Sequence, residues 1–195
     1  MQMIQRFSAL IIVCSVAACA PNTTPAAVPV TPVAAKSNLL ADLDHDVADV
    51  QKKMVSLARA MPEGSMDWRP MPGTRSVREV FLHIAGENYL IPSFFGAAIP
   101  ASTGIVAKDD KTVSTYEARK TLRDSTAAEL ERSFTNLRAA MAADSSTALD
   151  AKVNFFGGPT SHEGAWIGTV THLHEHLGQA IAYARSNKIV PPWSK

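Results

Sequence analysis

The stretch that decides the fold is residues 161–186, SHEGAWIGTVTHLHEHLGQAIAYARS, near the carboxyl end of the chain. Ser161 with the acidic Glu163 after it is typical of a helix start. Apolar residues recur at helical spacing, at Leu173, Leu177 and Ile181, which predicts a long helix. These residues flank a row of polar residues on the same helix. A polar row within an apolar helix is costly to bury unless its members are paired or bind an ion.

The polar row begins with two histidines, His172 and His176, and continues with Gln179 and Tyr183. A spacing of four residues puts the two imidazoles on one helix face, roughly 6 Å apart along the axis, so they can share one metal ion. His174 is two residues from each of them, about 200° around the helix, and should face elsewhere.

A third histidine lies on another predicted helix. Ser76 and Glu79 form a capping-box pattern that begins this second helix, and Ile91 before Pro92 marks its end. His83 lies at the border of the apolar stripe of this helix. Three imidazoles that converge between helices suit Zn, Ni, Fe or Mn, and three protein ligands leave one position open for water or substrate.

Two further helices complete the prediction. The apolar periodicity predicts a first helix over residues 38–61 and a third over 115–143, with Leu122 in the apolar stripe of the third. Residues 92–113 are expected to form a long irregular crossover with one short helix around 94–98, and 144–160 a loop. No alternating strand pattern is found. The expected fold is therefore all-α, a four-helix bundle over residues 38–195 with a long crossover between helices 2 and 3.

The amino-terminal residues resemble an export signal. An apolar run precedes small residues around Cys19, so residues 1–19 are interpreted as a signal peptide with a lipobox-like end, and residues 20–37 as a Pro- and Ala-rich linker. We expect a lipoprotein anchored through Cys19 on the periplasmic side of a bacterial membrane, with a soluble periplasmic protein as the alternative. Cys14 would be removed with the signal, so no structural disulfide is expected.

Composition narrows the range of partners. The chain has 195 residues, of which 46% are hydrophobic and 19% charged, and this balance favours a single folded domain. The formal net charge is +1 and no run of basic residues occurs, so nucleic acid is not expected as a partner. A small-molecule substrate or ligand of unknown identity is expected, and a homodimer stays an open alternative.

The order of these motifs resembles the DinB-like family of candidate metalloenzymes, over about residues 39 to 195. The resemblance rests on the lone His83, on His172-x-x-x-His176-x-x-Gln179, and on two flanking segments, residues 72–77 (PGTRSV) and 189–192 (IVPP). It implies a four-helix bundle with a metal site at the three histidines and Gln179 as a neighbour of that site. Relatives of this family include thiol-transferring enzymes. Leu177 stands where the family frequently has Arg.

Three hypotheses about function follow. The first is a metal-dependent enzyme of unknown substrate, a hydrolase or a thiol-transferase-like protein, in which Glu87, one turn after His83, is the candidate proton carrier and Tyr183 a neighbour of the site. The second is a non-catalytic envelope lipoprotein that uses the metal-bound bundle to bind a ligand or partner. In the third, the three histidines are buried, hydrogen-bonded and free of metal.

The lipid anchor is testable with one substitution. Cys19→Ser removes the thiol that would carry the lipid, so the variant should leave the membrane fraction and lose its detergent partitioning. Fractionation followed by immunoblotting measures this. A variant that still partitions into detergent like the unchanged protein would contradict the lipoprotein prediction.

Overall fold

The computed structural model describes residues 38–144 and 148–194. The predicted signal peptide, the linker up to residue 37 and Cys19 lie outside the described residues. Helix α1 spans Leu39–Ala60, α2 Val77–Leu90, α3 Asp110–Glu117, α4 Arg123–Ala143 and α5 His162–Ser186, while strands β1 and β2 span Lys152–Phe155 and Gly158–Ser161. Short 3-10 turns occur at Glu63–Ser65, Ile91–Phe95 and Ala101–Thr103.

The four long helices form the bundle, which confirms the predicted mostly helical fold. Helix α1 packs against α4 and α5, and α2 packs against the same two helices from the other side. Their shared core is filled by large side chains that are almost completely buried, among them Trp166, Phe81, Phe134 and Leu130. None of the helices within the described part of the chain is both long and apolar enough to cross a membrane.

Helix α2 is the most enclosed element of the bundle. Each of its residues except Glu79 is buried. Its start is fixed by the capping box that the sequence predicts: the Ser76 hydroxyl accepts from the Glu79 backbone N–H, and the Glu79 carboxylate accepts from the Ser76 backbone N–H. A cap of this kind contributes on the order of 1 kcal/mol. Burial of the whole helix places polar residues, His83 among them, inside the protein.

The predicted third helix is in fact two helices. Helix α3 ends at Glu117, and α4 begins only after Leu122, the helix-capping residue, which is extended and 67% exposed rather than part of the core. A long-range contact accompanies the break. The buried Arg78 side chain donates from Nη1 to the Thr121 carbonyl over 2.7 Å, which occupies an acceptor that a continuous helix would use. Because α3 begins at Asp110, the irregular crossover is also shorter than predicted.

Two other predictions about the connections were wrong. The short helix expected around residues 94–98 is a 3-10 turn at Ile91–Phe95, closed by Gly96 in the left-handed conformation. The loop expected before α5 contains the β1–β2 hairpin, whose two turn residues, Phe156 and Gly157, both have positive φ angles. This turn type suits the twist of a hairpin, but strands of four residues are too short to give a clear alternating pattern.

A glycine allows α3 to approach α2 closely. A Cβ atom at Gly86 would lie 3.2 Å from the Tyr116 ring, so a side chain there would force the ring away. Glycine within a helix costs about 1 kcal/mol relative to alanine. Here it lets the buried Tyr116 ring lie against α2, and this contact carries Glu117, the next residue, to the level of His83.

Candidate metal centre

The structure brings together the three histidines that the sequence singles out. His83 on α2 and His172 and His176 on α5 offer one ring nitrogen each, and these three atoms lie within 4.8 Å of one another. The centroid of the His83 ring is 5.3 Å from that of His172 and 4.6 Å from that of His176. The centroids of the His172 and His176 rings are 4.5 Å apart. Three nitrogens at this spacing could hold a metal ion.

Helix α3 supplies a carboxylate that orients His83. The His83 Nδ1 atom lies 2.7 Å from Glu117 Oε1, and Arg75 Nε donates to Glu117 Oε2 over 2.8 Å. Because Nδ1 is hydrogen-bonded to the carboxylate, the other ring nitrogen, Nε2, is the one whose lone pair could bind a metal ion. A carboxylate on the far side of an imidazole fixes the ring and makes it a stronger ligand.

Burial and hydrogen bonding shift the pKa of Glu117 in opposite directions. Burial disfavours the charged carboxylate, but the hydrogen bonds from His83 and Arg75 outweigh it, so that the pKa of Glu117 is below its ordinary value. Glu117 is therefore ionised at neutral pH. The sequence does not predict this contact, because Glu117 lies 34 positions from His83, in a stretch whose periodicity predicts one long helix.

The two polar residues that follow His176 on α5 form a hydrogen-bonded chain with it. The His176 Nδ1 atom lies 2.7 Å from Gln179 Oε1, and Gln179 Nε2 donates to the Tyr183 hydroxyl over 3.1 Å. The Tyr183 ring is held edge-to-face against Trp68 at 5.3 Å. Gln179 and Tyr183 thus lie next to the cluster, and this chain again leaves Nε2 as the free nitrogen of His176.

His172 has a buried nitrogen without a hydrogen-bond partner. Its Nε2 atom is enclosed and makes no hydrogen bond with any described residue. Burial, aided by the nearby imidazoles of His176 and His83, lowers the pKa of His172 to about 4, so the ring is neutral at neutral pH. Burial also lowers the pKa of His176, although its bond to Gln179 opposes this. A neutral imidazole with an unused buried nitrogen fits a metal ligand well.

Glu87 lies one turn after His83 on the same face of α2. The residue is 7% exposed, and its Oε2 atom is buried with no hydrogen-bond partner among the described residues. Burial raises the pKa of Glu87, the charge of His83 lowers it and the charge of Glu117 raises it, with a net upward shift. Glu87 is not one of the three converging residues, so its place is beside the cluster rather than in it.

His174 points away from the cluster, as its position in the helix predicts. Its Nε2 atom lies 3.0 Å from both carboxylate oxygens of Asp46 on α1, at the exposed edge of the bundle. The alternation of His172, His174 and His176 between two helix faces is therefore visible in their partners.

The fold and the cluster together define a helical-bundle protein with three histidines that could hold a metal ion. The sequence model of the DinB superfamily matches residues 46–180, well over half of the chain. The chain therefore belongs to the DinB superfamily.

Two solved structures share the fold. A DinB-like protein from Bacillus cereus ATCC 10987 is similar with a TM-score of 0.61 and 18% identity, covering 79% of this chain and 93% of that one. A member of the DinB family from Exiguobacterium sibiricum 255-15 gives a TM-score of 0.55 and 23% identity, covering 76% of this chain and 91% of that one. At these identities the likeness shows the fold alone. The search of curated proteins finds no match.

The geometry predicts which histidines bind metal. His83→Ala, His172→Ala and His176→Ala should each weaken metal binding by more than about 100-fold, since even outer partners of ligands are typically worth 10–100-fold. His174→Ala should bind like the unchanged protein. Metal analysis measures the stoichiometry of each variant, and competition with a chromophoric chelator measures its affinity. A fully loaded His176→Ala protein beside an unloaded His174→Ala protein would refute the assignment.

The Glu117 contact predicts a second effect. Glu117→Gln keeps the size of the side chain but removes the negative charge behind His83, so metal affinity should fall by about 10- to 100-fold. Glu131→Gln is the matched control, because Glu131 makes an exposed ion pair with Arg59 far from the cluster in sequence and should leave the affinity unchanged. Equal affinities for the two variants, both folded by circular dichroism, would show that Glu117 does not support the site.

Proposed function

We propose that the protein binds one divalent metal ion, Zn, Ni, Fe or Mn, through His83, His172 and His176, and that it is a metal-dependent enzyme acting on a small molecule. The observation that carries the proposal is the convergence of three imidazoles between α2 and α5, one of which has a buried nitrogen with no hydrogen-bond partner among the described residues. Buried polar atoms in folded proteins are rarely left without a partner. Nitrogen ligands of this kind suit the four metals named.

A bound divalent ion would supply Lewis-acid chemistry: it polarises a carbonyl and lowers the pKa of a bound water or thiol. The residues around the cluster have separate tasks. Glu117, held by Arg75, fixes the ring of His83, and Gln179, held by Tyr183, fixes the ring of His176. Rings held in this way need no rearrangement when substrate binds.

Glu87 is the residue that we propose as the proton carrier. Its raised pKa brings its titration closer to neutral pH, where a general acid or base is most effective. Its unpartnered Oε2 is free to accept or donate a proton at the edge of the cluster. These features favour a hydrolase or a thiol-transferase-like reaction. Both reactions need a nucleophile to lose its proton, and a carboxylate so placed can receive it.

The alternative is a non-catalytic envelope lipoprotein whose metal-bound bundle binds a ligand or partner. The sequence around Cys19 and the Pro-rich segment that follows support export and a lipid anchor on the periplasmic side, with a soluble periplasmic form as the second option. A cytosolic thiol cofactor would be scarce in that compartment, which favours hydrolysis over thiol transfer. A binding protein would keep its metal and show no turnover.

Two measurements on the purified protein separate these proposals. Metal analysis identifies the ion, and a screen of ester, amide and thiol-transfer substrates is then run with and without a chelator. Turnover that is lost with the chelator and restored by the metal supports the enzyme, and Glu87→Gln should lower kcat while the protein stays loaded. A loaded protein without turnover on any substrate class favours the binding protein.

Removal of the metal should lower the melting temperature. An ion present at about 100 times its Kd adds about 2.7 kcal/mol to the free energy of unfolding, since it binds only the folded state. For a domain of this size that corresponds to a shift of roughly 5–10 °C. Differential scanning calorimetry with and without chelator measures the shift, and His172→Ala, which should show none, is the control. Identical curves for stripped and loaded protein would favour the metal-free alternative.

A further inference from the structure

A cavity of about 440 Å³ lies between the end of α2, the start of α3 and the tip of the β-hairpin. Its volume is in the range of pockets for small molecules. Its lining includes the apolar residues Leu90, Phe94 and Phe156 and the charged residues Lys108 and Asp110. Because these two charges are opposite, the cavity favours an uncharged, apolar occupant.

Three segments connect this cavity to the histidine cluster. Along α2, Leu90 follows His83 by seven residues, which is about 10 Å of helix. Along α3, Asp110 precedes Glu117, the partner of His83, by the same number of residues, so the two helices run in opposite directions between the same two places.

Helix α5 gives the third connection. Gly168 is one turn before His172 on the same face, and a Cβ atom there would lie 3.6 Å from the Phe155 ring. Phe155 in turn contacts Phe94 in the wall of the cavity, with ring centroids 5.2 Å apart. The hairpin that borders the cavity is thus packed against α5, the helix that carries His172 and His176.

Glu87 lies between His83 and Leu90 along α2. It is one turn from His83 and almost one turn from Leu90 on the same helix, and it is buried. Burial has the largest effect on the pKa of Glu87, the nearby charge of His83 the next largest, and the charge of Asp110 a smaller one. A molecule that extends from the cluster into the cavity would pass this carboxyl group.

The hairpin tip presents an aromatic side chain at a cost in backbone conformation. Phe156 has φ 46°, in the left-handed region that residues other than glycine, asparagine and aspartate rarely adopt. Its side chain is 57% exposed, yet its ring contacts Phe94 at 5.1 Å and Phe155 at 4.7 Å. A strained residue that holds an exposed aromatic ring over a cavity is typical of a binding position.

We propose that this cavity binds the apolar body of the substrate whose reacting group lies at the histidine cluster. The structure assigns to the protein a class of small molecules with an aromatic or branched aliphatic group about 10 Å from the group that binds the metal, a length given by the helical rise between His83 and Leu90. This inference rests on the proposed metal site and adds to it the class of substrate.

Hydroxamates of different length test the proposal, because their head group binds zinc and their tail can be varied. The probes are acetohydroxamate, which has no body, benzohydroxamate, whose ring is next to the head group, and phenylhexanohydroxamate, whose ring can reach the cavity. Calorimetric titration of the full, zinc-loaded chain should give an affinity for the longest probe at least about 10-fold above that for acetohydroxamate, as burial of a phenyl group provides. Benzohydroxamate should gain much less.

Phe156→Asn is the informative variant. Asparagine tolerates the left-handed backbone of the hairpin turn, so the hairpin should stay folded while the aromatic wall is lost. The affinity for phenylhexanohydroxamate should fall by about 5- to 10-fold, and that for acetohydroxamate should not change. Leu122→Asn is the control: Leu122 is an exposed apolar residue that caps α4 outside the cavity, and its replacement should alter neither affinity.

The outcomes distinguish the inference from the function on which it rests. If acetohydroxamate binds the zinc-loaded protein and the longest probe binds no better, the cavity inference is wrong and the metal site stands. The same holds if Phe156→Asn and Leu122→Asn reduce the gain from the tail equally. If the protein takes up none of zinc, nickel, iron and manganese, the proposed metal function and this inference are both wrong. If the zinc-loaded protein does not bind acetohydroxamate, the ion offers no open position to a substrate, so the proposed enzyme and this inference are wrong while metal binding stands.

Discussion

The burial of α2 is the constraint on which the rest of the structure depends. A helix enclosed on all sides would ordinarily be apolar throughout, but this one carries Arg78, His83, Glu87 and Asn88 within the core. Each such group must find a partner or destabilise the fold by a few kcal/mol. The positions of the surrounding elements follow largely from how this requirement is met.

Two of these polar groups hold neighbouring elements in place. The Asn88 side-chain amide donates to the Ser133 hydroxyl, which fixes α2 against α4, and Arg78 donates to the Thr121 carbonyl just before α4 begins. The same bond from Arg78 lies where the chain passes from α3 to α4, and α3 packs back against α2. The interruption of the helix thus coincides with the carbonyl that accepts from a buried charged side chain.

Local signals in the sequence are sufficient to predict features that depend on neighbouring residues, but not those that depend on residues far apart in the chain. The positions of His172 and His176 on one face, and of His174 on another, depend only on the helical repeat, and the cap at Ser76 depends on residues three apart. The contact between His83 and Glu117 and the break at Leu122 depend on pairs of residues separated by 34 and 43 positions. Periodicity contains no information about such pairs. The spacing of Leu122 fits the apolar stripe and therefore predicts a core residue, whereas the structure exposes it.

Helix α3 is one short element that contacts both the cavity, through Asp110, and the histidine cluster, through Glu117. Eight residues are too few for a helix to be stable by itself, so α3 must be held by its packing. Tyr116 provides that packing against Gly86, and Glu117 provides a charged bond to His83 and Arg75. Because a rigid helix fixes the distance between its ends, the same contacts also set how far Asp110 at the cavity lies from the histidine cluster. The glycine in α2 therefore costs helix stability at one position and, in return, allows the carboxylate, the cluster and the cavity to keep a constant spacing.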